Sequence, residues 1–346
     1  MFIICNHKWL FCFAMVLSFT LLTGCIEKTE KNDRVSLDAS NKETKADELD
    51  PDAVHPLVVI TKTFDASGAQ TGQTMKQYGN HAAYQSTVSN LNSFAQVMGI
   101  INTAGVTIAD HNMMYSKSSG NAGRDGVWLT DDDEDQAYTV NRFDARGVMV
   151  RTDTYSDFSG RELVKYTTYA HNPDHTMARA DGFRGDGVLI GAMRFGYENR
   201  RLITIESFGS DATSPVAEIQ LAYDSLGRNA SIVARTKTMG GMKNSMQILK
   251  TYAWNSLLLT SVLLQEWGGN SWKTVYHSEN KLNPATMRVE KTLVTDPSGD
   301  PINDNDYNYC TTFRYNDMNL QSKESLYSGD ETGLKGHADY RYYISR

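Results

Sequence analysis

From Leu57 onward the chain is dominated by short runs in which apolar and polar side chains alternate. Ala217-Glu218-Ile219-Gln220-Leu221-Ala222-Tyr223 places its apolar members on odd positions, and residues 148–155 and 288–294 follow the same period less strictly. A period of two, rich in β-branched and aromatic residues, predicts half-buried strands. The strands are punctuated by a recurring turn: Phe64-Asp-Ala-Ser-Gly68, Phe143-Asp-Ala-Arg-Gly147 and Tyr223-Asp-Ser-Leu-Gly227. Asp can bond the backbone two residues on, and Gly accepts the positive φ that a tight hairpin requires. Turns starting at 143, 155, 169, 183, 197, 208 and 223 lie about 13 residues apart, enough for one strand and one turn. The pattern predicts a mainly β fold, an antiparallel meander of repeated hairpins forming a twisted sheet or open half-barrel.

One segment breaks the period. Tyr84, Val88, Leu91, Ala95 and Met98 recur at spacings of four and three, with Asn80 as N-cap and Gly99 as stop. This predicts one short amphipathic helix over 81–98. Residues 57–140 then form an N-terminal β segment carrying that helix, and residues 141–346 form the hairpin repeat region, together one continuous domain. Residues 26–56 read as a tether, since 14 of the 31 are Asp, Glu, Lys or Arg and no apolar period appears. As a coil it reaches on the order of 30 Å.

Composition narrows the function classes. The formal charge is −7, which argues against nucleic acid as a partner, because phosphate-backbone binding needs clustered Lys and Arg. Lys8 is the only formal charge in residues 1–24, and an apolar run from Trp9 to Leu22 follows it. That run is too short for a comfortable membrane span and ends in Leu22-Thr23-Gly24-Cys25. The ending resembles the lipobox of bacterial lipoproteins. The resemblance implies that residues 1–24 are a cleaved signal peptide and that Cys25 carries the lipid. Ile26, rather than Asp, follows the cysteine, which implies sorting to the outer membrane. Cys5 and Cys12 lie in the cleaved segment, so Cys310 alone remains, reading as a buried structural thiol.

Tyr223-Asp224-Ser225-Leu226-Gly227-Arg228 resembles the YD repeat of RHS-type bacterial surface and secreted proteins. Gln265-Glu266-Trp267-Gly268-Gly269-Asn270-Ser271-Trp272 resembles the Trp–turn–Trp hairpins of exported repeat proteins. Gly123-Arg124-Asp125-Gly126-Val127-Trp128-Leu129-Thr130-Asp131-Asp132 resembles an element found in uncharacterised exported proteins. These resemblances imply architecture and location and assign no chemistry.

A search for chemistry finds no Gly-x-Ser-x-Gly elbow, no His-Glu-x-x-His, no Walker loop and no strict Gly-x-Gly-x-x-Gly. The acidic run Asp131-Asp132-Asp133-Glu134-Asp135, with Asp125, offers hard oxygens to Ca²⁺, making Asp125, Asp131, Asp132 and Asp133 the candidate metal ligands. It fails the EF-hand template, and a solvated acidic turn balanced by Arg124 and Arg142 is the favoured reading, so no cofactor is expected. Trp267 and Trp272 flank a Gly-Gly-Asn turn, so at least one is expected to face solvent as a contact for a sugar, a peptide or a membrane surface. The expectation is a monomeric, non-enzymatic outer-membrane lipoprotein. It is held to the membrane by its lipid and presents a β-repeat surface to an envelope protein or glycan. The alternatives are a carrier of an apolar ligand in a curved sheet and a hydrolase with a dispersed site.

Overall fold

The computed structural model describes residues 56–78, 106, 113–253, 256, 258–297, 310–316, 320–328 and 333–344. The first strands are β1 (Pro56–Asp65), β2 (Gln70–Tyr78), β3 (Met113–Ser119), β4 (Ala137–Phe143), β5 (Met149–Tyr155) and β6 (Leu163–His171). Next come β7 (Met177–Arg184), β8 (Leu189–Glu198), β9 (Arg201–Phe208), β10 (Pro215–Tyr223), β11 (Asn229–Thr238) and β12 (Gly241–Tyr252). The last are β13 (Leu259–Trp267), β14 (Trp272–Leu282), β15 (Val289–Thr295), β16 (Cys310–Tyr315), β17 (Gln321–Ser328) and β18 (Gly333–Ile344). Every strand pairs antiparallel with its neighbours in sequence, and β1 pairs with β18 from Pro56↔Ile344 to Asp65↔Gly336.

That last pairing corrects the expected architecture. The sheet is a closed 18-stranded barrel, not a twisted sheet or open half-barrel. Closure removes both edges, whose unpaired N–H and C=O groups would otherwise template aggregation. The described residues contain no helix, and the segment 81–98 lies outside them.

Side-chain alternation stays in phase around the ring. Ala180, Met193, Ile205, Ile219, Ala234, Ile248 and Leu264 face one side and are almost completely buried. The opposite register holds Arg179, Arg194, Glu206, Glu218 and Arg235, which stand directly opposite one another across β7–β11. The charged face is the outer wall and the apolar face the interior. Val106, from the chain between β2 and β3, belongs to the buried cluster on this face.

The inner face changes character around the ring. From β5 to β14 it is mostly apolar, with Met193, Phe195, Ile205, Ile219, Ile248 and Leu264 among its buried side chains. Elsewhere it is hydroxyl-rich, with Thr292 and Thr311 buried and Thr61, Thr74, Ser118 and Thr139 in the same register, and buried Thr152 and Thr167 carry that character onto β5 and β6. The two parts meet at Thr152, whose hydroxyl donates to Asn141 Oδ1 at 2.7 Å and accepts the Tyr169 hydroxyl at 2.9 Å.

A meander sends alternate hairpins to opposite rims. At one rim six of the nine even-numbered strands end in an inward aromatic: Tyr78, Phe143, Tyr197, Tyr223, Tyr252 and Tyr315. The register shifts at each of these ends, so the turn bulges while the aromatic keeps the inward phase of its strand. Several then tie one hairpin to the preceding one. The hydroxyls of Tyr223, Tyr252, Tyr315 and Tyr342 donate to the carbonyls of Leu202, Asn229, Val289 and Gln321, at 2.7, 2.8, 2.9 and 2.7 Å. The Asp of the turn motif acts as the sequence implies. Asp224 Oδ1 accepts the N–H groups of Leu226 and Arg228, both at 2.9 Å, and Gly227 takes φ +77°. β1 begins at this rim, so the segment preceding it joins the barrel there.

Candidate functional site

The loop joining β3 to β4 stands at the opposite rim and contains the acidic run. It is a hydrogen-bonded unit in which Asp133 is buried while Asp131, Asp132, Glu134 and Asp135 stand exposed. Asp132 Oδ2 accepts the backbone N–H groups of Arg124 and Asp125 at 2.8 and 3.2 Å, and its Oδ1 lies 2.8 Å from Thr130 Oγ1. The Thr130 hydroxyl, and then the Arg124 N–H, hold the Asp132 carboxyl below the usual range. Buried Asp133 accepts the Leu129 N–H at 2.6 Å and approaches Thr130 Oγ1 at 3.0 Å. Asp125 Oδ1 accepts the Val127 N–H at 2.7 Å. Gln136 closes the unit, donating to the carbonyls of Thr130, Asp131 and Asp133 and accepting the Phe158 N–H at 2.9 Å. Gly123 is required there, because its φ is +63° and a Cβ would stand 2.5 Å from the Asp132 carbonyl.

The carboxylates of Asp125, Asp132 and Asp133 are thus turned onto backbone N–H groups and a hydroxyl rather than toward one point. Asp131 stands exposed beside them. Among the described residues no group of three or more His, Cys, Asp or Glu side chains is placed to hold a metal ion. The expected balancing role of Arg142 is not found. It pairs instead with Asp153 on the barrel wall.

Trp267 and Trp272 face each other across the β13–β14 hairpin, which turns at this same rim. Their rings pack edge to face with centroids 5.1 Å apart, and both are half-buried, so each shields the other and neither projects freely. Gly269 provides φ +95° at the turn, and the Gly268 N–H donates to the Ser271 carbonyl at 2.9 Å. The acidic loop and the Trp hairpin share a rim but lie ten strands apart in a ring of 18, nearly diametrically opposite. The structure does not assemble them into one site. Cys25 lies outside the described residues, and Cys310 is fully buried.

Two constellations escape the sequence reading. Inside the barrel, Glu324 on β17 is 2% exposed and accepts the Tyr340 hydroxyl at 2.9 Å. Burial pushes its carboxyl up to about 7, and burial beside Glu324 pushes the Tyr340 phenol up as well. Only the pairing of β17 with β18 brings them together, which local spacing does not reveal. On the outer wall, Arg142 and Arg151 stand directly opposite across the β4–β5 hairpin with Asp153 between them. Here a signal existed. The Phe143-Asp-Ala-Arg-Gly147 turn sets the hairpin register, and Arg-x-Asp at alternate positions shares one strand face.

No protein-family model matches the chain, and no curated protein matches it. Among solved structures it is similar to TcdB2-TccC3, at 12% identity and a TM-score of 0.30, with 82% of this chain and 16% of that chain covered. It is also similar to a porin-like protein from Bacteroides uniformis, at 9% identity and a TM-score of 0.34, with 83% and 98% covered. The chain thus spans 16% of the length of the first of these structures. Likenesses of this depth leave function to be argued from the chain's own residues. A closed β-barrel fits an envelope location.

Proposed function

We propose that the protein is a non-enzymatic, lipid-anchored outer-membrane lipoprotein whose barrel is presented to an envelope protein or glycan. The observation that supports this reading is the division of labour between the rims. β1 starts at the tyrosine rim, where the charged tether joins, and the acidic loop and the Trp hairpin occupy the rim away from it. The outer wall supports it too. A lipid-facing Arg or Lys at mid-membrane costs about 2–4 kcal/mol. The belt of Arg179, Arg194 and Arg235 therefore belongs in water, and attachment falls to the lipid on Cys25. The fully buried apolar interior from β5 to β14 speaks against a carrier with an open apolar lumen.

The test has two arms. Cys25→Ser is expected to abolish lipidation and release the protein from outer membranes, and unchanged partitioning would sink the anchor. Capture of partners from native envelopes is expected to weaken in Trp267→Ala/Trp272→Ala. Identical partners at identical yield would remove the Trp hairpin from the contact surface.

A further inference from the structure

We propose that Arg142 and Arg151 form a twin-guanidinium clamp, on the outer wall of β4–β6, for a phosphate-class oxyanion. The two arginines occupy directly opposed positions of an antiparallel pair, where like charges repel. Asp153 resolves that conflict. Its side chain is 1% exposed, and its two oxygens are divided between the partners, Oδ2 at 2.5 Å from Arg142 Nε and Oδ1 at 2.5 Å from Arg151 Nε. One carboxylate against two guanidiniums leaves one net positive charge, on a chain whose formal charge is −7.

The way Asp153 is used matters more than the charge. It engages each arginine through Nε, which leaves the Nη ends as the outer tips. Arg142 remains 55% exposed and Arg151 34%. Among the described residues, Arg142 Nη2 has one further contact, to the Tyr155 hydroxyl at 3.3 Å, and the Nη atoms of Arg151 have no hydrogen-bond partner. The Arg151 guanidinium lies 3.9 Å from the centroid of the Tyr166 ring, which is itself stacked on Phe183 at 4.9 Å. Its plane is therefore fixed before any ligand arrives, which lowers the ordering cost of binding. Thr168 stands opposite Arg151 on β6 and adds a hydroxyl to the same row. The next residue of the row, Asp181, is occupied by Arg179 at 2.8 and 2.9 Å, so its charge is compensated.

Two planar N–H forks held side by side on a shared carboxylate suit a group with three or four oxygens. A phosphate offers enough oxygens to accept from both forks at once, and its higher charge strengthens each charge-assisted hydrogen bond. The source of that phosphate, a sugar phosphate or a lipid headgroup, is a separate question with the same chemistry at the clamp. The site lies on the barrel wall, so it stands or falls independently of the rim contacts proposed above.

The test is calorimetric titration of detergent-solubilised full-length protein with inorganic phosphate and with a hexose phosphate. Flotation with phosphatidylcholine vesicles, with and without phosphatidic acid, accompanies it. Binding of phosphate and hexose phosphate is expected, and Arg142→Lys/Arg151→Lys, which keeps the charge and loses the forks, should weaken it at least ~10-fold. Asp153→Asn separates the clamp from simple charge attraction. It raises the local positive charge, so mere attraction would tighten binding, whereas loss of the organising carboxylate weakens it. Should that variant fail to fold, the double lysine variant carries the decision. Stronger retention on phosphatidic acid vesicles than on hexose phosphate identifies a headgroup as the source, and the reverse a glycan, each supporting the clamp if the lysine variant loses it. No binding of any probe, or binding unchanged in the lysine variant, overturns it.

Discussion

Replacing Glu324 by Gln should raise the stability of the barrel at neutral and alkaline pH and flatten its dependence on pH. The carboxyl sits on the inner face, 2% exposed, opposite Phe313 on β16 and Ala338 on β18, with the Tyr340 hydroxyl at 2.9 Å as its hydrogen-bond donor. Burial raises it from 4.5 to about 7. Below 4.5 the group is protonated in both folded and unfolded chains and exerts no penalty. Between 4.5 and 7 the unfolded chain releases the proton while the folded one keeps it, so stability falls as pH rises and levels off above the folded value. At ~1.36 kcal/mol per pH unit the loss reaches about 3 kcal/mol. Gln keeps an acceptor for Tyr340 and carries no charge, so the variant should lack the slope and exceed the wild type by up to that amount near pH 8. His171, pushed down by burial, contributes a slope of opposite sign below its ordinary 6.5, but it is common to both proteins and cancels in the difference. Urea unfolding of both proteins from about pH 5 to pH 8 measures the effect. Parallel stability curves across that range would refute the reasoning.

Two further outcomes test the fold and the acidic loop. Tyr223→Phe deletes the hydroxyl that reaches the Leu202 carbonyl at 2.7 Å and should cost about 1 kcal/mol in urea unfolding; a change within error would mean that the rim tyrosines act by packing alone. Thermal unfolding in millimolar Ca²⁺, Mg²⁺ or EDTA should give one melting temperature, because the carboxylates of Asp125, Asp132 and Asp133 already accept N–H groups. A Ca²⁺-specific gain, ~2.7 kcal/mol at a hundred-fold excess over Kd, would contradict that.

The legible parts of this molecule are those encoded within a dozen residues. Alternation in Ala217–Tyr223 marks β10 directly, and the Asp and Gly of each aromatic-Asp-x-x-Gly turn take the roles their chemistry implies. Ring closure is not local. β1 meets β18 across the whole length of the barrel sequence, and alternation reads the same whether a meander ends in two edges or in a ring. The acidic run misleads for a related reason. Five adjacent acidic residues look solvated when counted as charges, yet Asp133 is buried because the loop folds back to bring the Leu129 N–H and Thr130 onto it. The Trp pair falls between these cases. The hairpin is readable from Gly-Gly-Asn, but the mutual shielding of the two rings depends on their being directly opposed in register.

The polarity of the wall bears on the lipid anchor proposed above. A barrel that holds itself in a bilayer needs an apolar outer band and tolerates a polar interior. Here the arrangement is reversed. Ile205, Ile219, Ile248 and Leu264 are inside, and the row from Arg179 to Arg235 is outside. Such a row is ill suited to lipid tails, so on the reading proposed above attachment falls to another part of the chain. A lipid on Cys25 would supply it at ~0.8 kcal/mol per buried CH₂ without asking anything of the strands. The strands are then free to carry charge on the wall, including the paired arginines of β4 and β5 that a membrane-embedded barrel could not place there.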